Sequence, residues 1–206
     1  MDNSLFLEKQ LSKGSNTCVI LVPGHSKDTF GKRTKPVDIT LVKQQGSAYI
    51  QEPVKDYVFY EYAFNAKLAS EVSKFLKEEQ IDFIRINSIN NPSKQAVTVA
   101  NAVNLAKNSH KLTYVISFHA NAIDNIGKVV KNSDRGLQIY YNNESAKPYS
   151  ERLVKYISDS FVKTKVCGVT TKSQSWAIMR VKTTNPIFLT ENGFFQNYFD
   201  LQDLSA

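Results

Sequence analysis

The chain has few cysteines, no long apolar run and no apolar leader. Its two cysteines, Cys18 and Cys167, lack the spacing of a metal-binding motif, and we expect two small buried thiols rather than a disulfide. No apolar run approaches the roughly 18 residues that a membrane span needs. Residues 1–10 contain an early acidic residue and no continuous apolar stretch, so we expect no secretory signal here.

Two common catalytic motifs are also missing. The segment from Gly24 to Thr34 follows an apolar run and contains Gly31 and Lys32, as a phosphate-binding loop would. However, six residues separate its glycines, more than such a loop has, and Arg33 stands where the loop needs a hydroxyl. A Gly-x-Ser-x-Gly elbow is absent as well. These absences argue against a nucleotide site and against a serine hydrolase.

The composition is that of an ordinary globular protein. With 206 residues, 42% hydrophobic and 22% charged, the chain can bury a full core, most simply as a single domain covering residues 1–206. Its net charge of +7 favours association with polyanions. Because the lysines and arginines are spread along the chain rather than clustered with aromatic residues, we expect no nucleic-acid partner.

Strand-like and helix-like segments alternate along the chain. This pattern predicts an α/β fold: a mostly parallel twisted sheet of about six strands, flanked by helices on both faces. Residues 26–56 form a long insertion or lid-like loop with one weak strand-like patch at 37–42. The expected strands are residues 17–22, 81–86, 112–118, 136–141, 176–181 and 186–190, and the expected helices are residues 57–79 and two that start at Pro92 and Pro148.

Three polar residues follow apolar runs that have the character of buried strands. They are His25, His119 and Glu191. In open α/β sheets, ligands bind outside the carboxyl ends of the strands, so these side chains are expected at one edge. Taken singly, each has a simpler interpretation: a hydrogen-bonded loop histidine for the first two, and a charge at a helix N-terminus for Glu191. His110, in a polar turn, is expected to be merely solvated.

Glu61 is a fourth candidate. In the helix predicted over residues 57–79 it lies on the same face as Phe64, Leu68, Val72 and Phe75. A carboxylate near a buried face costs several kcal/mol unless it is paired or bound to a metal. The alternative is that Glu61, in the first turn, interacts with the helix dipole while exposed to water. The apolar face expected for the next helix comprises Val97, Ala100, Val103 and Ala106.

Two imidazoles and a carboxylate with one open position suit a catalytic zinc ion. Such an ion lowers the pKa of water to about 7 and polarises a substrate carbonyl. The chemistry also needs a carboxylate that is not a ligand to take a proton from that water. Glu191 is the candidate for this role.

At this point the chain resembles the zinc-dependent N-acetylmuramoyl-L-alanine amidases of the Amidase_3 type. The resemblance extends over roughly residues 16–204, and its combination of Pro-Gly-His, Ser-Phe-His-Ala-Asn and Glu-x-Gly-Phe-x-x-Asn motifs is specific. The matching segments are residues 19–25, Glu61 with Asn65, residues 115–121, residues 135–141 and residues 187–197.

The resemblance implies that His25, Glu61 and His119 hold one zinc ion and that Glu191 is the catalytic carboxylate. It also implies a substrate, peptidoglycan, cut at the amide between the lactyl group of N-acetylmuramic acid and L-alanine. Asn121 and the loop over residues 122–135 are expected to contact glycan or stem peptide. Anionic cell-wall polymers would then be the polyanions that the basic surface meets, and we expect the enzyme to be a monomer.

The sequence departs from the family pattern at several places. Ser26-Lys27 stands where these enzymes often have two glycines, the 26–56 insertion is long, and an arginine expected near Ala100-Asn101 is missing. None of these departures affects the four site residues. Two other functions stay open: a zinc peptidase or deacetylase with the same ligands, and a non-catalytic peptidoglycan-binding module.

With no wall-binding domain evident, a bacteriolytic enzyme of the phage endolysin type is the favoured interpretation. We then expect synthesis in the cytoplasm and release to the wall by lysis or a holin-type route. The alternative is secretion directed by a signal that this sequence does not include.

Overall fold

The computed structural model describes residues 6–12, 15–27, 32–45, 48–109, 112–122, 128–129, 136–160 and 169–205. His110 and Cys167 lie outside these ranges. The strands are β1 Phe6–Gln10, β2 Thr17–Pro23, β3 Val37–Gln45, β4 Ala48–Tyr57, β5 Asp82–Ile86, β6 Leu112–Asn121, β7 Gln138–Tyr141, β8 Val169–Lys172 and β9 Ile187–Phe194. The helices are α1 Glu61–Glu78, α2 Pro92–Lys107, α3 Lys147–Ser160 and α4 Tyr198–Leu204, with short 3-10 helices at Glu144–Ala146 and Ala177–Arg180.

The main sheet has seven strands in the order β1-β5-β2-β6-β9-β7-β8. The four central strands, β5, β2, β6 and β9, are parallel, whereas β1 runs antiparallel to β5 and β7 runs antiparallel to β9. The α/β prediction is therefore confirmed, with a mixed sheet and one more strand than expected. The carboxyl ends of β2, β6 and β9 lie side by side at one edge.

Helices cover both faces of this sheet, as predicted. On one face, α2 and the 3-10 helix Ala177–Arg180 pack over a core that includes Cys18, Ile20 and Ile187. On the other face, α1 packs over Leu21 and Phe83, and α3 packs over a neighbouring cluster. Because both faces are buried, the central strands have continuous apolar runs rather than alternating ones. The thiol of Cys18 is free and buried, as expected. No helix in the described part of the chain is long and apolar enough to span a membrane.

The first helix begins later than predicted and its buried face is rotated. Residues up to Tyr57 belong to β4, and the buried positions of α1 are Glu61, Asn65, Ala69, Ser73 and Leu76. Phe75, expected inside, is 56% exposed. The pattern of large apolar residues predicts the wrong face of α1 for two reasons. The buried residues at the edge of the sheet are polar, and small residues bring the helix close to the sheet.

The face of α2 was also predicted only in part. Val103 and Ala106 are buried as expected, but Val97 is 60% exposed and Ala100 is only partly buried. Thr98 takes an inward position because its hydroxyl donates to the carbonyl of Lys94 at 2.9 Å, which satisfies the buried polar group.

Two further predictions were wrong. Residues 176–181 contain a 3-10 helix rather than a strand, and its Ile178 and Met179 are buried beneath α2. Residues 26–56 were expected to be mainly a loop, but β3 and β4 form an antiparallel hairpin that packs on α4. Gln202 of α4 donates to the carbonyl of Thr40 at 3.0 Å, which joins the hairpin to the main body.

Candidate metal centre

The first histidine is brought to the edge of the sheet by a close approach of β2 and β6. The amide of Gly24 donates to the carbonyl of Phe118 at 2.9 Å, which extends the ladder one residue beyond β2. A Cβ atom on Gly24 would overlap the imidazole ring of His119, so a larger residue here would displace that ring. His25 follows with a φ of 56°, and its ring lies 5.0 Å from the ring of His119, centroid to centroid.

Glu61, the first residue of α1, points into the same place. It is 1% exposed. The alternative that Glu61 interacts with the helix dipole while exposed to water is therefore wrong. Its Oε1 lies 3.1 Å from Nδ1 of His119 and 3.5 Å from Nε2 of His25, and it accepts from the amide of Ala120 at 3.3 Å. Its Oε2 is buried without a hydrogen-bond partner among the described residues.

Asn65, one turn further along α1, fixes this carboxylate to the strand. Its amide donates to the carbonyl of Gly24 at 3.0 Å and reaches Oε1 of Glu61 at 3.5 Å. The spacing of the two residues by four places both side chains on one face of the helix. The helix, the glycine and the carboxylate are therefore held as one unit.

The structure thus brings together the three residues that the sequence indicated as metal ligands. One potential ligand atom from each of His25, Glu61 and His119 lies within 4.8 Å of the others. Two imidazole nitrogens and a carboxylate oxygen are a donor set that zinc takes in catalytic sites.

The ionisation of these groups suits metal binding. Burial lowers the pKa of His25, and the neighbouring His119 and Lys32 lower it further against the opposing effect of Glu61. Burial would raise the pKa of Glu61, but the hydrogen bond and charge of His119 and the charges of His25 and Lys32 outweigh it and hold that pKa below 4.5. A neutral imidazole and an ionised carboxylate are the forms that bind metals.

Glu191 lies within β9, directly opposite His119 on β6 and Gln138 on β7. It is not a charge at a helix N-terminus, because the strand continues to Phe194. Burial and the charge of Glu61 raise its pKa to about 7, against the opposing effects of His119 and Lys32. A carboxylate with such a pKa can take up and release a proton near neutral pH.

The comparison with known families agrees with this arrangement. The family described as N-acetylmuramoyl-L-alanine amidase (Amidase_3) matches residues 19–206. The chain belongs to this family. It is therefore an enzyme of the amidase class, as the sequence predicted, and residues 19–206 include all four site residues. No curated protein sequence matches the chain significantly.

Several solved structures share the fold. Cwp6 from Clostridium difficile aligns with a TM-score of 0.61 and 18% identity over 93% of this chain, which spans only 26% of the Cwp6 chain. Ami1, an N-acetylmuramyl-L-alanine amidase from Mycobacterium smegmatis, aligns with a TM-score of 0.55 and 15% identity over 95% of this chain and 90% of the Ami1 chain. The catalytic domain of the CD27L endolysin targeting Clostridia Difficile aligns with a TM-score of 0.54 and 15% identity, over 92% of this chain and 87% of the CD27L chain. At these identities the likeness establishes the fold alone.

The amidase has a cleft of about 360 Å³ above the candidate ligands. Asn121 lines it, and its contact with glycan or stem peptide stays a prediction, whereas most of the loop that follows lies outside the described residues. Lys32 and Trp176 also line it, and sequence reasoning missed both. Trp176, 37% exposed, stands with its ring edge-on to Tyr140 at 4.7 Å. The available sequence signal for Trp176 was that it is the single tryptophan of the chain. Lys32 had no such signal beyond its position after the first predicted strand.

Proposed function

We propose that this amidase hydrolyses the amide bond between N-acetylmuramic acid and L-alanine in peptidoglycan, with one zinc ion as cofactor. One observation carries the proposal: ligand atoms of His25, Glu61 and His119 converge within 4.8 Å, with Glu191 paired opposite His119 in the neighbouring strand. Membership of the family supplies the substrate class.

The residues fit the ion. Glu61 has one carboxylate oxygen contacted by His25, His119 and Ala120, and one buried oxygen that has no partner among the described residues. Leaving a buried acceptor without a partner costs about 1–3 kcal/mol, more when it is charged. A cation held between Glu61 and the two imidazoles would remove that cost and satisfy a coordination preference of zinc.

Different residues of the chain would then carry out different parts of the hydrolysis. When bound, zinc polarises the scissile carbonyl and lowers the pKa of water at the site. The carboxylate of Glu191 takes the proton from the attacking water and passes it to the nitrogen of the leaving L-alanine. The C–N bond breaks, leaving a lactyl carboxylate on the sugar and a free amine on the peptide. Trp176 and Asn121 line the cleft and would form walls against which the substrate lies.

The biological setting that we propose is lysis of the bacterial wall by a monomeric, endolysin-like enzyme made in the cytoplasm and released by lysis or a holin-type route. The fold shared with the catalytic domain of the CD27L endolysin supports the endolysin-like part of this proposal.

The test is an assay on purified peptidoglycan that follows new alanine amino termini and new reducing sugars. We expect alanine amines without reducing ends, abolished by a zinc chelator and restored by zinc. Substituting Glu191→Gln should lower kcat by about 10²–10⁴, with zinc still bound at one ion per chain. Glu71→Gln is the matched control, since Glu71 lies on the exposed side of α1.

Other outcomes would contradict the proposal. New amines on residues other than alanine would move the cut into the stem peptide and favour a peptidase. Release of acetate would favour a deacetylase. A folded, zinc-loaded protein that binds peptidoglycan but releases nothing, with or without Glu191, would be a binding module.

A further inference from the structure

Lys32 is held at the rim of the cleft by the backbone. Its carbonyl accepts from the amide of Glu61 at 3.0 Å. Two residues later, the amide of Thr34 donates to the carbonyl of Phe59 at 3.1 Å, while the buried hydroxyl of Thr34 accepts from the amide of Phe59 at 2.9 Å. The chain carrying Lys32 is therefore fastened against the segment that enters α1, so its backbone position is fixed relative to the candidate metal ligands.

The side chain of Lys32 has no counter-ion within ion-pair distance among the residues that the structure describes. It is half-buried and lines the cleft beside Glu61 and Glu191. Among the described residues its ammonium forms no ion pair, although its charge lowers the pKa of both carboxylates. The ammonium therefore lies near the reacting groups without contacting them. A half-buried cation without a partner costs free energy, which a bound anion would offset.

The charge balance of the cleft points the same way. With the proposed dication bound, the two carboxylates of Glu61 and Glu191 and the ammonium of Lys32 would leave one positive charge in a partly enclosed space. Such a cleft attracts a substrate that carries an anionic group beside the scissile bond. Stem peptides of peptidoglycan carry free carboxylates or, where these are amidated, neutral carboxamides.

We propose that Lys32 is a specificity-determining residue whose ammonium binds a free carboxylate of the stem peptide next to the scissile amide. This inference rests on the proposed function. It predicts that the enzyme prefers walls whose stem peptides retain the carboxylate over walls in which it is amidated. The preference lies in binding, because the ammonium stands beside the reacting atoms rather than on them.

The experiment compares two soluble muramoyl peptides that differ only in a carboxylate or a carboxamide on the residue after L-alanine. For Lys32→Gln we expect kcat/KM on the carboxylate peptide to fall about 10- to 100-fold, the range of a charge-assisted hydrogen bond. This loss should appear as a higher KM, with kcat nearly unchanged. The carboxamide peptide should be cut as by the wild type. Lys32→Arg should retain most of the preference, and Lys35→Gln, at an exposed position nearby, should change neither substrate.

A second readout does not depend on turnover. Trp176 is the single tryptophan and lines the cleft, so its fluorescence reports peptide binding to the Glu191→Gln variant. The carboxylate peptide should bind about 10-fold or more tightly than the carboxamide, and adding Lys32→Gln should abolish the difference. If neither peptide is cut by the wild type, the proposed function fails while this binding comparison still decides the role of Lys32.

Two results would overturn the inference. An equal loss of kcat on both peptides would place Lys32 at the reacting carbonyl as an electrostatic catalyst. Unchanged discrimination in Lys32→Gln, by turnover and by fluorescence, would make Lys32 an ordinary solvated side chain.

Discussion

At the scale of single residues, two carboxylates in one cleft differ because their surroundings differ. Glu61 has imidazole and amide neighbours at one oxygen, and its pKa is held below 4.5. Glu191 is half-buried and its Oε2 is buried without a hydrogen-bond partner among the described residues, and desolvation together with the charge of Glu61 raises its pKa to about 7. Environments that separate the pKa values of paired acids are how one site provides both a ligand and a proton carrier.

This difference predicts a pH-dependent stability for the metal-free protein. The pKa of Glu191 is about 7 in the fold, against its ordinary 4.5. The unfolded chain therefore loses this proton first, and stability falls as the pH rises from 4.5 towards 7. Glu191→Gln removes the effect, so its gain over wild type should grow from near zero at about pH 4.5 to about 2–3 kcal/mol at about pH 8.

Urea unfolding in the presence of a chelator, at several pH values, measures this gain. A stability difference that stays constant with pH would show that Glu191 titrates as an ordinary carboxyl group. With zinc present, the gain should shrink, because a nearby dication favours the ionised form.

At the scale of elements, the sequence predicted best where burial is uniform. The run of β2 is buried almost throughout, β6 is buried or half-buried along its whole length, and the placement of both was correct. The antiparallel edge strand β1 was missed because its partner β5 is distant in sequence and its own residues alternate between half-buried and exposed. The hairpin strand β4 was missed because its residues are mostly polar, although its partner β3 directly precedes it in the chain. Residues 176–181 have the composition of a strand but pack as a 3-10 turn beneath α2.

The hairpin illustrates how an unrecognised element becomes part of the fold. Ile39 is 3% exposed and packs with Phe59, Phe195 and Leu201, whereas Ile50 on the facing strand is 45% exposed. Ile39→Ala should therefore destabilise the protein by about 2–4 kcal/mol, and the matched Ile50→Ala by about 0.5 kcal/mol or less.

The midpoint and slope of urea unfolding distinguish the two variants. Equal, small losses would mean that the hairpin opens independently of the main sheet. In that case Lys32, fastened just before it, would not be held by the core.

At the scale of the whole molecule, the site was predictable because the topology of the sheet brings its residues together. Parallel strands that end at one edge bring His25, His119 and Glu191 together, so each needed only to be recognised beside its strand. Glu61 required the helical period in addition. Lys32 and Trp176 come from irregular connections whose path no local pattern specifies, which is why they were found only in the structure.

The net charge of +7 makes a prediction at this same scale. If the basic surface concentrates the enzyme on anionic cell-wall polymers, activity on intact walls should fall several-fold as salt rises from about 50 to about 300 mM, since screening shortens the reach of surface charges to about 10 Å or less. The carboxamide muramoyl peptide is small and uncharged near the scissile bond, so its turnover should change by less than about twofold.

Walls stripped of their anionic polymers should lose most of the salt dependence. An equal decline on the peptide and the wall would instead place the effect of salt on the cleft itself, and the spread of lysines and arginines would then have no part in reaching the substrate.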